Sequence, residues 1–203
     1  QYGSWLLHAV QGDLSKSLAT GEEVATSIAR AFPNTLLIVV MAMTVALALG
    51  VPLGMLAASR PDGLRDRVVT SVASLGIAVP NFWLAMLLVA WLALAYGWFP
   101  ATGAVALKVD PLGALHHAIL PALALAAGGV AEVSRQLRSS MVEILSSPQV
   151  RTLRAKGLSA GVILWKHGLK NAGVNLLTVA TLLFNRMLAA TVVVEAVFAI
   201  PGM

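Results

Sequence analysis

Few side chains in this sequence are equipped for covalent chemistry, and their spacing suits no familiar reaction. Cysteine is absent, which removes disulfides, thiolate nucleophiles and thiolate metal sites. The phosphate-cradling pattern GxxxxGK(S/T) does not occur, and the one lysine beside a glycine, Lys156-Gly157, stands in the wrong order for it. HExxH and GxSxG are missing as well. His116 and His117 are adjacent, so on a helix they point to different faces and chelate poorly. They read as interfacial polar residues rather than metal ligands. No catalytic residue, no metal ligand and no cofactor is therefore assigned to this chain. What remains is charge in two settings: a basic segment, VRTLRAKGLSAGVILWKHGLKNA (150–172), and a lone arginine, Arg186, inside the apolar run FNRMLAATVVVE.

The basic segment cannot sit in lipid. Arg151, Arg154, Lys156, Lys166 and Lys170 would each cost roughly 2.5–3.5 kcal/mol at mid-bilayer, even on the mildest scales. Local signals predict a helical hairpin at a membrane surface. Ser147 is placed to cap a helix and Pro148 suits its first position. Residues 149–156 then form a short helix that stops at Gly157, where a missing Cβ allows a left-handed turn. Ser159 opens a second helix, expected to run to Lys170.

The elements that must position these groups are membrane spans. The chain is 58% hydrophobic and 11% charged, against about 25% charged for a typical soluble domain. Four apolar runs are predicted spans: 34–58, with Pro52 and Gly54 bending its inner end; 68–94, with Pro80 and Asn81 near its middle; 117–133, leading directly into SRQLRSSMVEIL; and 173–194. Of fourteen Lys and Arg residues, all but Lys16, Arg30, Lys108 and Arg186 fall in segments 59–67 and 134–171. The positive-inside rule puts both segments on the cytoplasmic side, leaving 1–33, 96–115 and 195–203 outside. That clustering also excludes a nucleic-acid surface as the source of the net charge of +5. Trp98 and Phe99 mark the outer interface. Glu132, near the inner end of the third span, is expected to pair with Arg135 or Gln136.

Segment 150–172 resembles the coupling-helix ("EAA") loop of ABC importer permeases, in the VRTARAKGLS…HALRNA form of the dipeptide, oligopeptide and nickel branch. Gly157 falls on that loop's glycine and Leu169 on its later leucine. Arg138-Ser-Ser-Met141 with Glu143 is similar to the family's RSSMLEVL. Gly12-Asp-Leu-Ser-Lys-Ser17 is similar to GDLGxS of the B-type subunit, and Val192-Val-Val-Glu195 with Phe198, Pro201 and Gly202 to VVVEtvFslPG. Departures are Pro148-Gln149 for Asp-Tyr, Leu153 for Ala, and Lys170 at the general motif's proline position, the last being normal for the peptide branch.

The resemblance implies an all-α polytopic fold, the MetI-like transmembrane domain of type I importers. Residues 1–203 would form a single permease domain, with 134–171 as its cytoplasmic coupling loop. A further span would precede Gln1 and another follow Met203. It implies ATPase coupling through Arg151, Thr152, Arg154, Ala155, Lys156, Gly157, Leu158, Ser159, His167 and Asn171, in a multi-pass protein of the bacterial inner membrane. The implied partners are a homologous second permease, two ATPase subunits holding ATP and Mg, an external solute-binding protein and membrane lipid. Peptides, nickel chelates and glutathione are the implied substrates. Arg186, Asn185 and Asn81 are the candidates for the translocation path, with Arg186 meeting either a substrate carboxylate or a group of the partner permease. Two rival classes lack their residues. A secondary transporter needs an intramembrane ion or proton relay, and no Asp or Glu accompanies Arg186 in sequence. A membrane enzyme needs a catalytic pair facing across spans, and none is visible.

Overall fold

The computed structural model describes residues 2–17 and 21–202. Its regular structure there is helical, apart from one isolated bridge between Lys16 and Glu23. A short helix α1 (Tyr2–Val10) precedes the long α2 (Val24–Ala58). After a turn come α3 (Leu64–Ala78) and α4 (Asn81–Leu88), the latter prolonged by a π-helical stretch, Val89–Ala95. The long α5 (Pro111–Ser146), the short α6 (Pro148–Ala155) and a single turn α7 (Ala160–Val162) follow. A second π-helical stretch, Ile163–Gly168, leads into α8 (Leu169–Val197). Three helices are long and apolar enough to cross a membrane, or four if the bent pair α3–α4 is one span.

The spans differ from their sequence-based bounds in ways that have physical causes. Helix α2 begins at Val24 rather than near 34 and runs through Pro33 and Pro52 without a break. Proline costs a membrane helix less than a soluble one, because packed neighbours re-satisfy the freed backbone groups. At about 1.5 Å per residue its 35 residues reach about 52 Å, well beyond a hydrocarbon core of about 30 Å. Helix α5 is equally continuous, so the predicted third span and the polar SRQLRSSMVEIL after it are one rod. Asp110 caps that rod, its carboxylate accepting from the Gly113 N–H at 3.0 Å.

The predicted second span is the clearest correction. It is broken at Val79-Pro80, with α3 and α4 at 94° to each other. A residue before proline is pushed out of the helical region, and Val79 accordingly sits at φ −81°, ψ 120°. Pro80 then stands just before the first helical residue of α4, where its missing N–H costs nothing.

Helices α2 and α5 form the central seam. Ala42, Ala46, Gly50, Gly54 and Ala58 recur every fourth residue of α2 and are all buried. A Cβ on Gly50 would lie 2.8 Å from Val133 Cβ, and one on Gly54 2.7 Å from the Ser134 carbonyl oxygen. Such contact is possible only with small residues, which is how membrane helices gain dispersion energy where lipid offers no hydrophobic drive. Gly129 of α5 likewise admits Met187 of α8, whose Cε would be 2.6 Å from an added Cβ. Outward faces stay apolar, with Val72, Leu75, Trp91, Val174 and Leu177 exposed.

At the far end from the hairpin, the residues after α8 are fastened to α2. Asn34 Nδ2 donates to the Pro201 carbonyl at 3.0 Å, and Thr35 Oγ1 to Glu195 Oε1 at 2.5 Å. Phe198 is buried, and its carbonyl accepts from the Gly103 N–H at 2.9 Å. The Glu-Phe-Pro-Gly pattern is thus a clasp of side chains and carbonyls, closed tightly enough that a Cβ on Gly202 would overlap the Glu195 carboxylate.

Candidate coupling hairpin and interhelical cavity

The hairpin is built by backbone signals acting within a few residues. Ser147 is extended, φ −68°, ψ 154°, and Pro148 takes the first helical position of α6. The expected side-chain cap is not made. The Ser147 carbonyl already accepts from the N–H groups of Val150 at 3.2 Å and Arg151 at 3.3 Å, and Pro148 has no N–H to offer. The Ser147 hydroxyl is left buried without a partner among the described residues. Val150, 1% exposed, anchors the short helix, while Arg151, Thr152, Arg154, Ala155 and Lys156 face outward.

Gly157 ends α6 as its position predicts, at φ +78°. The Leu158 N–H returns to the Leu153 carbonyl at 3.3 Å and the Gly157 N–H to that of Arg154 at 2.9 Å. That pair of bonds is the Schellman motif, which closes the orphan carbonyls of a helix end. Ser159 then caps the next helix, its Oγ accepting from the Val162 N–H at 3.4 Å.

The hairpin's second helix does not end near Lys170. From Ala160 to Val197 the helix is unbroken, 38 residues passing through the π-helical stretch into the predicted fourth span. Buried Gly168 lets this rod lie on α5, where an added Cβ would overlap Met141 Cε. Two amides complete the attachment. Asn171 Nδ2 donates to Gln149 Oε1 of α6 at 3.4 Å, and Asn175 Nδ2 bonds Ser140 Oγ of α5. Of the sequence-predicted residues, Gly157, Ser159 and Asn171 are exposed with the five above, whereas Leu158 and His167 are half-buried. They lie on α6, on the turn after it and on the first turns of the long helix that follows.

Arg186 belongs to a second site. A cavity of about 190 Å³ lies between α3, α4, α5 and α8, and Asn81, Glu132 and Arg186 all line it. Arg186 Nη1 donates to Glu132 Oε2 at 2.5 Å. This corrects two expectations: Glu132 pairs with Arg186 rather than with Arg135 or Gln136, and Arg186 does have a carboxylate beside it, 54 positions away in sequence. Gly128 lies beside the Asn81 amide, whose Oδ1 would stand in ordinary contact, 3.8 Å, with an added Cβ. Asn185 is not part of this lining; its Nδ2 turns back to the Thr181 carbonyl at 3.3 Å on its own helix.

A further ion pair escaped sequence reasoning. Arg138 of α5 grips Asp66, in the first turn of α3, through both Nε and Nη2, the latter 2.5 Å from Oδ2. Asp66 is 3% exposed and also accepts from the Asp62 N–H at 2.8 Å and Thr70 Oγ1 at 3.3 Å. Nothing local announces this fork, because its partners are 72 residues apart. His116 and His117 face different partners, as their adjacency predicts: His116 Nε2 contacts the Trp98 carbonyl at 3.2 Å and His117 Nδ1 that of Gly113 at 2.9 Å.

Bundle, broken helix and knob together define a polytopic α-helical membrane protein of the MetI-like architecture. A chain of the MetNI methionine ABC transporter, solved in inward-facing conformations, superposes with a TM-score of 0.67 over 85% of this chain and 74% of its own, at 18% identity. That likeness concerns the fold. The model of the family described as binding-protein-dependent transport system inner membrane component matches residues 50–203, and the chain belongs to that family. The oligopeptide transport system permease protein AppB of Bacillus subtilis is 37% identical over all of this chain and 65% of its own length. The glutathione transport system permease protein GsiC of Escherichia coli is 36% identical, over 100% and 64%. A putative peptide transport system permease protein of Brucella abortus is 37% identical, over 100% and 65%. The chain thus spans about two thirds of the length of these relatives.

Proposed function

We propose that this chain forms the translocation pathway of an ATP-driven importer for peptides or related small solutes, glutathione and nickel chelates among them. In this reading it works beside a homologous permease, two ATPase subunits carrying ATP and Mg, and an external solute-binding protein. The observation that carries the reading is mechanical: an outward-facing cationic knob is continuous with the helix that bears Arg186. Displacing the knob at the start of Ala160–Val197 moves the cavity wall at Leu183, Arg186, Met187 and Ala190, about 35–45 Å along the same helix. The knob, cytoplasmic in this topology, docks on the ATPase through Arg151, Thr152, Ala155, Lys156, Leu158 and Ser159. Closure of the ATPase dimer on ATP then favours the outward-facing arrangement, and hydrolysis restores the inward-facing one. The chain performs no covalent step. Coupling is the differential stabilisation of two arrangements by nucleotide.

Asn81 and the Glu132–Arg186 pair supply polar groups in an otherwise apolar passage. Arg186 exchanges its Glu132 partner for the carboxylate of a passing substrate, so the charge keeps a counter-charge while it lines a water-filled passage. The test is a cysteine at Leu158 or Ser159 in the assembled complex. Crosslinking to the ATPase subunit, changed in yield by ATP, is the expected result. Absence of any such crosslink, or labelling of these positions from outside the cell, ends the reading. Uptake that survives ATP depletion but collapses with the proton gradient ends it too.

A further inference from the structure

A second cavity, of about 310 Å³, opens where the basic hairpin meets the ends of the spans, and its chemistry differs from the passage around Arg186. Three arginines line it: Arg60, just past the end of α2; Arg65, in the first turn of α3; and Arg154, on the last turn of α6. No carboxylate is among the lining residues, and none of the three arginines forms an ion pair among the described residues. An apolar wall is made by Leu145, Ile163 and Leu164. Leu145 and Leu164 pack on the same buried cluster as Met55, Leu137 and Met141, so this wall continues the core of the bundle's hairpin end.

Three cations facing one cavity repel one another unless an anion joins them, and guanidinium forks match the oxygens of a phosphate group. A free anion would gain nothing from the leucine and isoleucine wall. An amphiphile with a phosphate head and acyl chains uses both walls, and the cavity lies where α2 gives way to the polar turn at Ser59. We infer that this cavity holds the phosphodiester head of an anionic phospholipid of the inner leaflet, gripped by Arg60, Arg65 and Arg154. Basic pockets between helices on the cytoplasmic side are suited to such heads. The inference rests on the proposed topology for its choice of leaflet. It also divides the hairpin's charge: Arg154 faces the membrane, while Arg151 and Lys156 remain for a protein partner.

The test uses the complete importer complex, exchanged into nanodiscs of equal phosphatidylglycerol and phosphatidylcholine, with lipids retained through delipidation quantified by mass spectrometry. Phosphatidylglycerol should be enriched in the wild type. Arg60→Gln, Arg65→Gln and Arg154→Gln combined should reduce that enrichment about tenfold or more, each charge near the surface contributing severalfold. The charge-matched control, Arg67→Gln with Arg135→Gln and Lys170→Gln, should keep it. Should the triple variant not assemble, each single substitution must lower enrichment by itself. The inference is overturned by equal retention of both lipids, by equal loss in the control, or by displacement of the lipid with millimolar inorganic phosphate. It is likewise overturned if the triple variant keeps its lipid and loses only its crosslink to the ATPase. Labelling of Leu158→Cys from outside would sink the coupling assignment and the choice of leaflet, while the lipid selectivity, read independently of sidedness, would still stand or fall on the enrichment.

Discussion

At the scale of single residues, the two ion pairs make opposite predictions. Arg186 is 64% exposed at its side chain, so its pair with Glu132 adds little to stability, under about 1 kcal/mol. Arg186→Ala should leave assembly intact yet slow uptake roughly tenfold or more, the loss expected for one charge-assisted contact. Undiminished transport by a normally assembled variant removes the substrate role. Asp66→Asn should do the reverse. Asp66 is buried under a two-pronged Arg138 contact, and removing its charge leaves the part-buried guanidinium unmatched, costing about 1–3 kcal/mol. Denaturation of the purified protein in detergent would measure that loss. Neither pair could be found from the sequence, because each joins helices whose mutual rotation is fixed only by packing. Glu132 looks interfacial when only its neighbours are known. Arg186 was legible as unusual, through its apolar surroundings, but not as partnered.

At the scale of elements, what was legible is what a few consecutive residues decide. The stop at Gly157 and the cap at Ser159 follow from backbone chemistry within one turn, and both were expected. The cap at Ser147 failed by the same logic, since a carbonyl one bond away had taken the N–H groups. Pro80 was legible as a perturbation but not as a right-angled break; nothing in eight or ten residues says whether neighbouring helices will straighten a proline or let it turn the chain. Gly157→Val should destabilise the hairpin by about 1–2 kcal/mol, the cost of a side chain in the left-handed region. ATP-driven uptake should fall more in this variant than in Gly157→Asn, which tolerates that conformation better. Equal activities would show that the turn's shape does not matter to coupling. The seam between α2 and α5 is the element most sensitive to volume. Gly54→Ala meets the Ser134 carbonyl and should cost about 1–3 kcal/mol. Gly173→Ala, also in a long helix but with nothing within 4 Å, should be neutral or stabilise by up to about 1 kcal/mol. A thermal-shift comparison of the pair checks both signs.

For the whole molecule, the broad plan was readable because lipid enforces it. Long apolar runs must be helices with their backbone groups satisfied internally, and basic segments must stay out. The order of spans and the shared side of segments 59–67 and 134–171 follow from that constraint alone. Tertiary joints were not readable. The clasp of Asn34 and Thr35 with Pro201 and Glu195 links positions more than 150 apart, and only its motif was visible beforehand. The expected consequence is that the clasp and the hairpin are felt at opposite ends of one body. Thr35→Val should loosen the end of α8 and increase hydrogen exchange near Phe198, leaving exchange around Ser159 unchanged. Exchange rising equally at both ends would mean that the bundle opens as a single unit.

The alanine and glycine ladder shared by α2 and α5 gives the bundle a keel. Two rods of some 50 Å touch backbone to backbone, so neither slides or rolls on the other without collision. Any rocking between alternative shapes must be carried by parts hung on that keel: the elbow at Val79-Pro80 and the rod carrying Arg186. A tether across the elbow should therefore freeze the machine in one posture, whereas a tether along the keel should go unnoticed.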